Sequence, residues 1–229
     1  MTQRYPFYDL KKFTWITNLV SIIPGTLCIV GIIHGIGTWQ ALAVMDALSP
    51  LTALPDDVSA RLLIDTHVRE AQVVSTLVLV LFYTYWVYFS ARNMLVLFEK
   101  HTASTWQSIK LFFGLFAQLH KITRLIDSMR YQSIPPGHEH EPVKWLLPVW
   151  SLSLVSANVC KLTAVYLMVD ALSVADFRSV ALWAFAAYVL YLIFYAVTAR
   201  ITFEVVWLQN LSHEHRRTVL TQTSIDSSF

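Results

Sequence analysis

One stretch of this chain, residues 71–91, runs for twenty-one residues without a charged side chain. As an α-helix, with about 1.5 Å of rise per residue, it would be roughly 31 Å long, which matches the hydrocarbon core of a bilayer. A second charge-free stretch of the same length covers residues 179–199 and lies between two arginines. Both stretches are therefore interpreted as membrane-spanning helices.

The composition supports four such spans in an all-α integral membrane protein. Hydrophobic residues make up 55% of the 229 residues and charged residues 14%, whereas soluble domains carry roughly 25% charged residues. We predict a bundle of four transmembrane helices at about 14–38, 71–92, 145–169 and 179–203. The remaining residues suffice for three connections and two ends, so the sequence predicts a single membrane domain over residues 1–229.

The segments around the first span carry their own signals. Basic residues precede this span and residues 41–43, Ala-Leu-Ala, resemble a signal-peptide cleavage site. The apolar run is longer than a signal peptide requires, so we expect a retained anchor. Pro55 followed by Asp56 and Asp57 is a helix-start signal. It predicts a helix that begins near Asp56 and continues into the second span.

The connection between the second and third spans is the most basic part of the chain. Over residues 105–129, large apolar residues recur at helical spacing and the cations fall mainly between them. This pattern is typical of an amphipathic helix that lies in the membrane interface. The polar C-terminal residues 212–229 are predicted to be a mobile tail.

The distribution of lysine and arginine predicts the orientation of the spans. Thirteen of these residues lie before the first span, between the second and third, or after the fourth, and the two other connections hold three. The positive-inside rule then puts both termini in the cytoplasm, and we expect a multi-pass protein of the bacterial inner membrane. The formal net charge of +2 gives no reason to expect nucleic acid as a partner.

A lysine inside the third predicted span is the foremost candidate for a functional residue. Lys161 lies sixteen residues after Trp145, about 24 Å along a helix, and a charge at such a depth is costly. It could bind an anionic lipid or a quinone headgroup, relay protons, or pair with an acidic group of a partner protein. It could also snorkel towards Asp170 and the outer surface. Asn158 lies on the same face, where asparagine usually forms a hydrogen bond between helices.

Histidines raise the alternative of a bound haem. His34 lies within the first span, and membrane four-helix bundles can hold haem between histidines of facing helices. No predicted span carries two histidines, which argues against a haem held by two histidines. We therefore expect no cofactor and keep haem or quinone as the alternative. With Lys161 and Asn158, His34 completes the set of candidate cofactor-binding residues. The His- and Glu-containing segments 138–141 and 213–215 are expected to be solvated, and we predict no metal site.

Two short motifs resemble those of a known family. Residues 86–93 read Trp-Val-Tyr-Phe-Ser-Ala-Arg-Asn, and residues 200–202 read Arg-Ile-Thr with a glutamine following at 209. They resemble a bacterial four-helix integral membrane family of unknown function, domain of unknown function 4328, over residues 18–209. The resemblance implies an architecture and no activity. It also implies a polar cluster at the cytoplasmic ends of spans two and four, which would act as a hydrogen-bonded clamp or as a ligand or lipid-headgroup site: Arg92, Asn93, Arg200, Glu204 and Gln209.

The sequence has no Gly-rich phosphate loop and no GxSxG or HExxH motif, so we predict no catalytic residue. We expect a non-enzymatic accessory or assembly subunit of a larger membrane complex, in contact with membrane lipids and with a membrane protein partner or further copies of itself. The alternative is a small redox or lipid-handling protein that binds haem, quinone or lipid between its helices. A channel or transporter is less favoured, because polar residues within the spans gather only around Asn158 and Lys161.

Overall fold

The computed structural model describes residues 7–48, 56–98, 119–139, 141–169, 171 and 173–226. Regular structure in these residues is entirely helical, which confirms the predicted all-α class. Helix α2 begins at Asp56, as the Pro-Asp signal predicts. The described helices are α1 (Lys11–Leu48), α2 (Asp56–Phe98), α3 (Leu119–Gln132), α4 (Leu146–Val169) and α5 (Val174–Asp226).

Four of these helices are long and apolar enough to cross a membrane, and they contain the predicted spans to within one residue. Large apolar side chains lie on their outer surfaces: Ile33 is 64% exposed, Leu77 61% and Leu162 69%. Such faces are unusual for a soluble monomer and suit contact with lipid. The architecture is therefore that of a helical protein compatible with multiple membrane crossings, at Lys11–Met45, His67–Met94, Leu146–Val169 and Val174–Val219.

Helix α5 is longer than the sequence analysis predicts. It continues to Asp226, so residues 212–226, expected to form part of a tail, are helical. No glycine or proline interrupts the chain between Val174 and Asp226. The extension also has tertiary contacts, since Arg216 donates hydrogen bonds to the carbonyl oxygens of Val96 and Leu97, at 2.6 and 2.9 Å.

Helix α3 corresponds to the C-terminal part of the amphipathic helix predicted over residues 105–129; residues 105–118 lie outside the described chain. Its apolar side chains Ile122, Ile126 and Met129 are fully buried by protein, whereas Lys121 and Arg124 are exposed. In this part of the helix the apolar face is therefore packed against the chain itself. Its placement in a membrane interface stays a prediction.

The chain divides into two compact units. The first unit contains Met1–Leu19, Leu79–Leu147 and Ala199–Phe229; the second contains Val20–Val78 and Pro148–Thr198. Helices α1, α2, α4 and α5 each contribute residues to both units, although α4 contributes only Leu146 and Leu147 to the first. The predicted polar cluster belongs to the first unit, and Lys161, Asn158 and His34 belong to the second.

A close approach between α1 and α5 shapes the second unit. At Gly31 a Cβ atom would lie 2.6 Å from ring atoms of Tyr188, and at Gly35 it would lie 3.6 Å from the Cβ of Phe185. Small residues at helix interfaces allow membrane helices to pack this closely, where dispersion contacts replace the hydrophobic drive available in water. Gly31 is thus the position on α1 that the packing restricts most among the described glycines of this helix.

Candidate functional site

Lys161 lines a small cavity in the second unit, among residues from α2, α4 and α5. The volume of the cavity is about 20 Å³, which is room for one or two water molecules. Two of its lining residues are cations on different helices, and the charge of Arg69 acts electrostatically on Lys161. The full lining consists of Arg69, Gln72, Lys161, Ala164, Ala184, Ala187, Tyr188 and Tyr191.

Alanines leave the space that forms the cavity. Ala184, Ala187, Tyr188 and Tyr191 follow the i, i+3, i+4, i+7 spacing that places side chains on one face of a helix. The two alanines of this set reach no further than Cβ, so the larger neighbours on α2 and α4 do not close the gap. Gln72, on the α2 side, is buried and donates a hydrogen bond from Nε2 to the Sγ of Cys28 at 3.2 Å.

Lys161 is half-buried and forms no ion pair among the residues that the structure describes. Two acidic side chains of this unit are described, and both have other partners: Glu70 faces His67, and Asp176 bonds to a serine three residues earlier. Asp170, the residue towards which Lys161 was expected to snorkel, lies outside the described chain. Lys161 is thus a partly buried cation beside a second cation.

Asn158 joins α4 to α5 and fixes one wall of the cavity. Its Nδ2 donates to the carbonyl oxygen of Leu154 at 2.7 Å, and its Oδ1 accepts a hydrogen bond from the hydroxyl of Tyr191 at 2.9 Å. This is the interhelical role that the sequence suggests for an asparagine inside a span. The third candidate of this set, His34, is half-buried on α1 and does not line the cavity.

A buried row of hydroxyl side chains on α5 was missed by the sequence analysis. Tyr188, Tyr191, Tyr195 and Thr198 recur at spacings of three and four residues and are all buried. Tyr195 shares a hydrogen bond with Thr76 of α2 at 2.8 Å, and Thr198 accepts one from Trp150 Nε1 of α4 at 2.9 Å. The spacing itself is visible in the sequence of the fourth predicted span.

The first unit contains a buried ion pair that the sequence analysis also missed. Arg130 of α3 donates from Nε and Nη2 to the carboxylate of Glu204 at 3.0–3.3 Å, and Nη2 also donates to the carbonyl oxygen of Val143 at 2.8 Å. The two side chains are 1% and 2% exposed. Arg200, which the sequence analysis grouped with Glu204, is exposed instead.

Two members of the predicted polar cluster do meet. Asn93 donates from Nδ2 to Oε1 of Gln209 at 3.3 Å, and it also exchanges two hydrogen bonds with the backbone of Tyr8. Gln209 donates from Nε2 to the carbonyl oxygen of Ser90 at 3.0 Å. Arg92 is half-buried, donates to the hydroxyl of Tyr88 at 3.2 Å and lies over the ring of Tyr8.

These contacts differ in what they allow chemically. In the first unit, Arg130 is paired with a carboxylate, and Asn93 and Gln209 are bonded to one another and to backbone, as in a structural clamp. In the second unit, the cavity beside Lys161 has positive charge and a small unfilled volume. Among the described residues, no group of three or more His, Cys, Asp or Glu side chains could hold a metal ion.

No protein-family model matches the chain, and no curated protein or solved structure matches it. The resemblance to the bacterial four-helix family therefore stays a prediction.

Proposed function

We propose that this chain is a multi-pass protein of the bacterial inner membrane, with both termini in the cytoplasm, that binds the acidic group of a membrane lipid between its helices. The cavity in the second unit carries this proposal. Lys161 and Arg69 come from two helices and line the same small space. Both belong to segments with the length and composition of membrane spans.

A cation placed among apolar helices is energetically costly. An ammonium group has three hydrogen-bond donors and loses hydration when it is buried. An anionic ligand offsets that loss, and lipids with acidic headgroups surround every inner-membrane protein. Leu162 and Tyr166, close to Lys161 in α4, are 69% and 71% exposed. The tails of a bound lipid can therefore stay against the outside of α4 while its acidic group reaches Lys161.

The size of the cavity favours a lipid over the other ligands considered. About 20 Å³ admits one or two oxygen atoms of an acidic group. Pockets that enclose a ring system measure roughly 300–1,000 Å³, so a porphyrin or a quinone ring does not fit this space without a large displacement of α5. A headgroup that enters only partly needs no such displacement.

The proposal is tested by the lipids that the purified protein retains. Protein extracted in mild detergent is analysed by native mass spectrometry, and the lipids are identified after release. We expect wild type to retain acidic lipid and Lys161→Gln to lose most of it. Lys144→Gln is the control, because Lys144 is an exposed cation of the first unit. Equal retention by Lys161→Gln and wild type, with both folded, would contradict the proposal.

The orientation has its own test by cysteine labelling. In a variant with Cys28 and Cys160 replaced by alanine, a single cysteine is introduced at Ser173, between α4 and α5, or at Thr2. A membrane-impermeant maleimide should label the first in intact spheroplasts and the second only after lysis. Labelling of the Thr2 position in intact spheroplasts would reverse the orientation.

A role as accessory subunit is the second candidate. Exposed apolar residues on α4 recur at alternating spacings of three and four, as in helix pairs that pack along one seam. In that case an acidic side chain of the partner would reach Lys161. The same mass spectra separate the candidates, since a stoichiometric assembly favours the subunit role and a monomer with bound lipid favours lipid binding. The exposed residues are Leu152, Val155, Val159, Leu162, Tyr166 and Val169.

A further inference from the structure

We propose that the acidic group bound beside Lys161 is a phosphate, with a lipid phosphomonoester preferred over a phosphodiester and over a carboxylate. This inference rests on the proposed lipid binding and adds the chemical class of the headgroup. It comes from the nature and position of the cavity's cations: an ammonium on α4 and a guanidinium on α2, near enough for one charge to act on the other.

Charge is the first step. Both cations attract whatever anion enters the cavity, so the attraction rises with the negative charge of that anion. A carboxylate or a phosphodiester carries one negative charge, whereas a phosphomonoester carries about −1.5 to −2 near neutral pH. The low dielectric of a membrane protein interior enlarges this difference relative to water.

Geometry is the second step. The guanidinium fork of arginine matches two oxygens of a phosphate, and lysine binds phosphate as a point charge. The terminal oxygens of a phosphate point in three directions, so they can accept from α2 and α4 at once. A carboxylate has only two acceptor oxygens, both in one plane, whereas a phosphomonoester has a third terminal oxygen available for the second cation. Gln72 also lines the cavity from α2, where its Nε2 donates to the Sγ of Cys28.

Position is the third step, and it distinguishes a lipid phosphate from a free one. The cavity lies within helices that are apolar enough to span a membrane, and three of its lining residues are alanines. A free phosphate ion has no apolar part that could contact the outside of these helices. A lipid phosphate is already at the membrane, and its tails supply apolar contact outside the cavity.

The test compares ligands that differ in their acidic group; the two phospholipids have the same pair of oleoyl tails, and oleic acid has a single oleoyl chain. Delipidated protein in detergent micelles is titrated with dioleoyl phosphatidic acid, dioleoyl phosphatidylglycerol, oleic acid and inorganic phosphate, and binding is read by native mass spectrometry. We expect phosphatidic acid to bind about tenfold more tightly than phosphatidylglycerol, a difference of about 1.4 kcal/mol, and oleic acid to bind more weakly still. Inorganic phosphate alone should bind at least a hundredfold more weakly than phosphatidic acid.

Each outcome has one meaning. Equal binding of oleic acid and phosphatidic acid would overturn the phosphate inference and leave the proposed lipid binding intact. Binding of inorganic phosphate as tight as that of phosphatidic acid would overturn the lipid source. No binding of any lipid would overturn both the inference and the proposed function.

Variants locate the binding in the cavity. Lys161→Gln and Arg69→Gln should each remove the preference for phosphatidic acid, whereas Lys144→Gln should keep it. Ala184→Leu fills the cavity and leaves both cations in place, so it should also abolish binding. Ala186→Leu is its matched control, because Ala186 is equally half-buried on α5 but does not line the cavity. Retention of the preference by Ala184→Leu would place the phosphate elsewhere and overturn the inference.

Discussion

Breaking the buried ion pair between Arg130 and Glu204 should cost this protein a large part of its stability. The substitution Glu204→Gln keeps the size of the side chain and removes its charge. Arg130 then remains 1% exposed with its guanidinium facing a neutral amide. Its other contacts are the carbonyl oxygen of Val143 at 2.8 Å and the half-exposed carboxylate of Asp127 at 3.8 Å. Neither contact replaces the two-oxygen partner.

The magnitude follows from the burial of both groups. Removing one member of a buried pair typically costs about 3–5 kcal/mol, because the other charge is left in a medium of low dielectric. Replacing both members by apolar residues of similar volume is often close to neutral. We therefore expect Glu204→Gln to lower the free energy of unfolding by about 3 kcal/mol or more. The double variant Arg130→Met, Glu204→Leu should lose much less than either single substitution.

The measurement is the free energy of unfolding in mild detergent, with tryptophan fluorescence followed during a denaturant titration. Lys144→Gln is the matched control, because Lys144 and Glu141 form an ion pair at 3.4 Å that is 76% and 83% exposed. Removing an exposed pair costs about 0–1 kcal/mol. If Glu204→Gln costs no more than Lys144→Gln, the pair is not buried in the way described and the reasoning fails.

Two further substitutions, each paired with a control substitution, test the packing of the second unit in the same unfolding assay. Gly31→Ala should destabilise by about 1–3 kcal/mol, because its Cβ would lie 2.6 Å from the buried ring of Tyr188. Its control is Gly25→Ala, which should be neutral or stabilise by up to about 1 kcal/mol, because its Cβ would meet only a Leu192 methyl at 3.9 Å and alanine favours a helix. Equal effects of Gly31→Ala and Gly25→Ala would contradict the close approach of α1 and α5. Trp150→Phe should lower the free energy of unfolding by about 0.5–1.5 kcal/mol for the lost hydrogen bond to Thr198, and by more for lost packing. Its control is Trp145→Phe at a 59% exposed position, which should change the free energy of unfolding by less than about 0.5 kcal/mol. A loss at Trp150 no larger than at Trp145 would mean that the indole is not held as described.

The four long apolar helices could be predicted from the sequence because their cause is local. A helix long enough to cross a bilayer must exclude charge over about twenty successive residues, and that pattern is visible without any tertiary information. The ends of the helices are set differently. α5 continues to Asp226 because no residue breaks it and because Arg216 bonds to the carbonyl end of α2. The polar composition of residues 212–229 shows neither the contact between Arg216 and α2 nor the residue at which the helix ends.

The candidate sites show the same limit. Lys161 and Asn158 stand out because a polar group is unusual in an apolar run. The partner of Glu204 could not be found in this way, because Arg130 lies seventy-four residues earlier, directly after the segment predicted to form an interfacial helix. The family resemblance grouped Arg200 with Glu204, but Arg200 is exposed and Glu204 pairs with Arg130. Charge pairing between distant helices depends on packing, which the sequence pattern does not contain.

The buried polar residues of α5 explain how an apolar chain can have specific packing. Between helices in lipid, apolar contact alone discriminates poorly among arrangements, because lipid tails are as apolar as leucine. A hydrogen bond has a direction and leaves an unsatisfied group when the arrangement is wrong. In the second unit, Tyr195 forms such a bond with Thr76 of α2, and Thr198 forms one with Trp150 of α4.

In the first unit, α5 contacts α1 and α2 by the same means. Thr202 donates to Oδ1 of Asn18 at 2.9 Å, and Gln209 pairs with Asn93. Helix α5 therefore forms side-chain hydrogen bonds with α2 and α4 in the second unit, and with α1 and α2 in the first. Against this background Lys161 differs, because its charge has no ion-pair partner in the described chain and lies beside a cation. The proposed lipid acidic group would supply the counter-charge that the described chain does not.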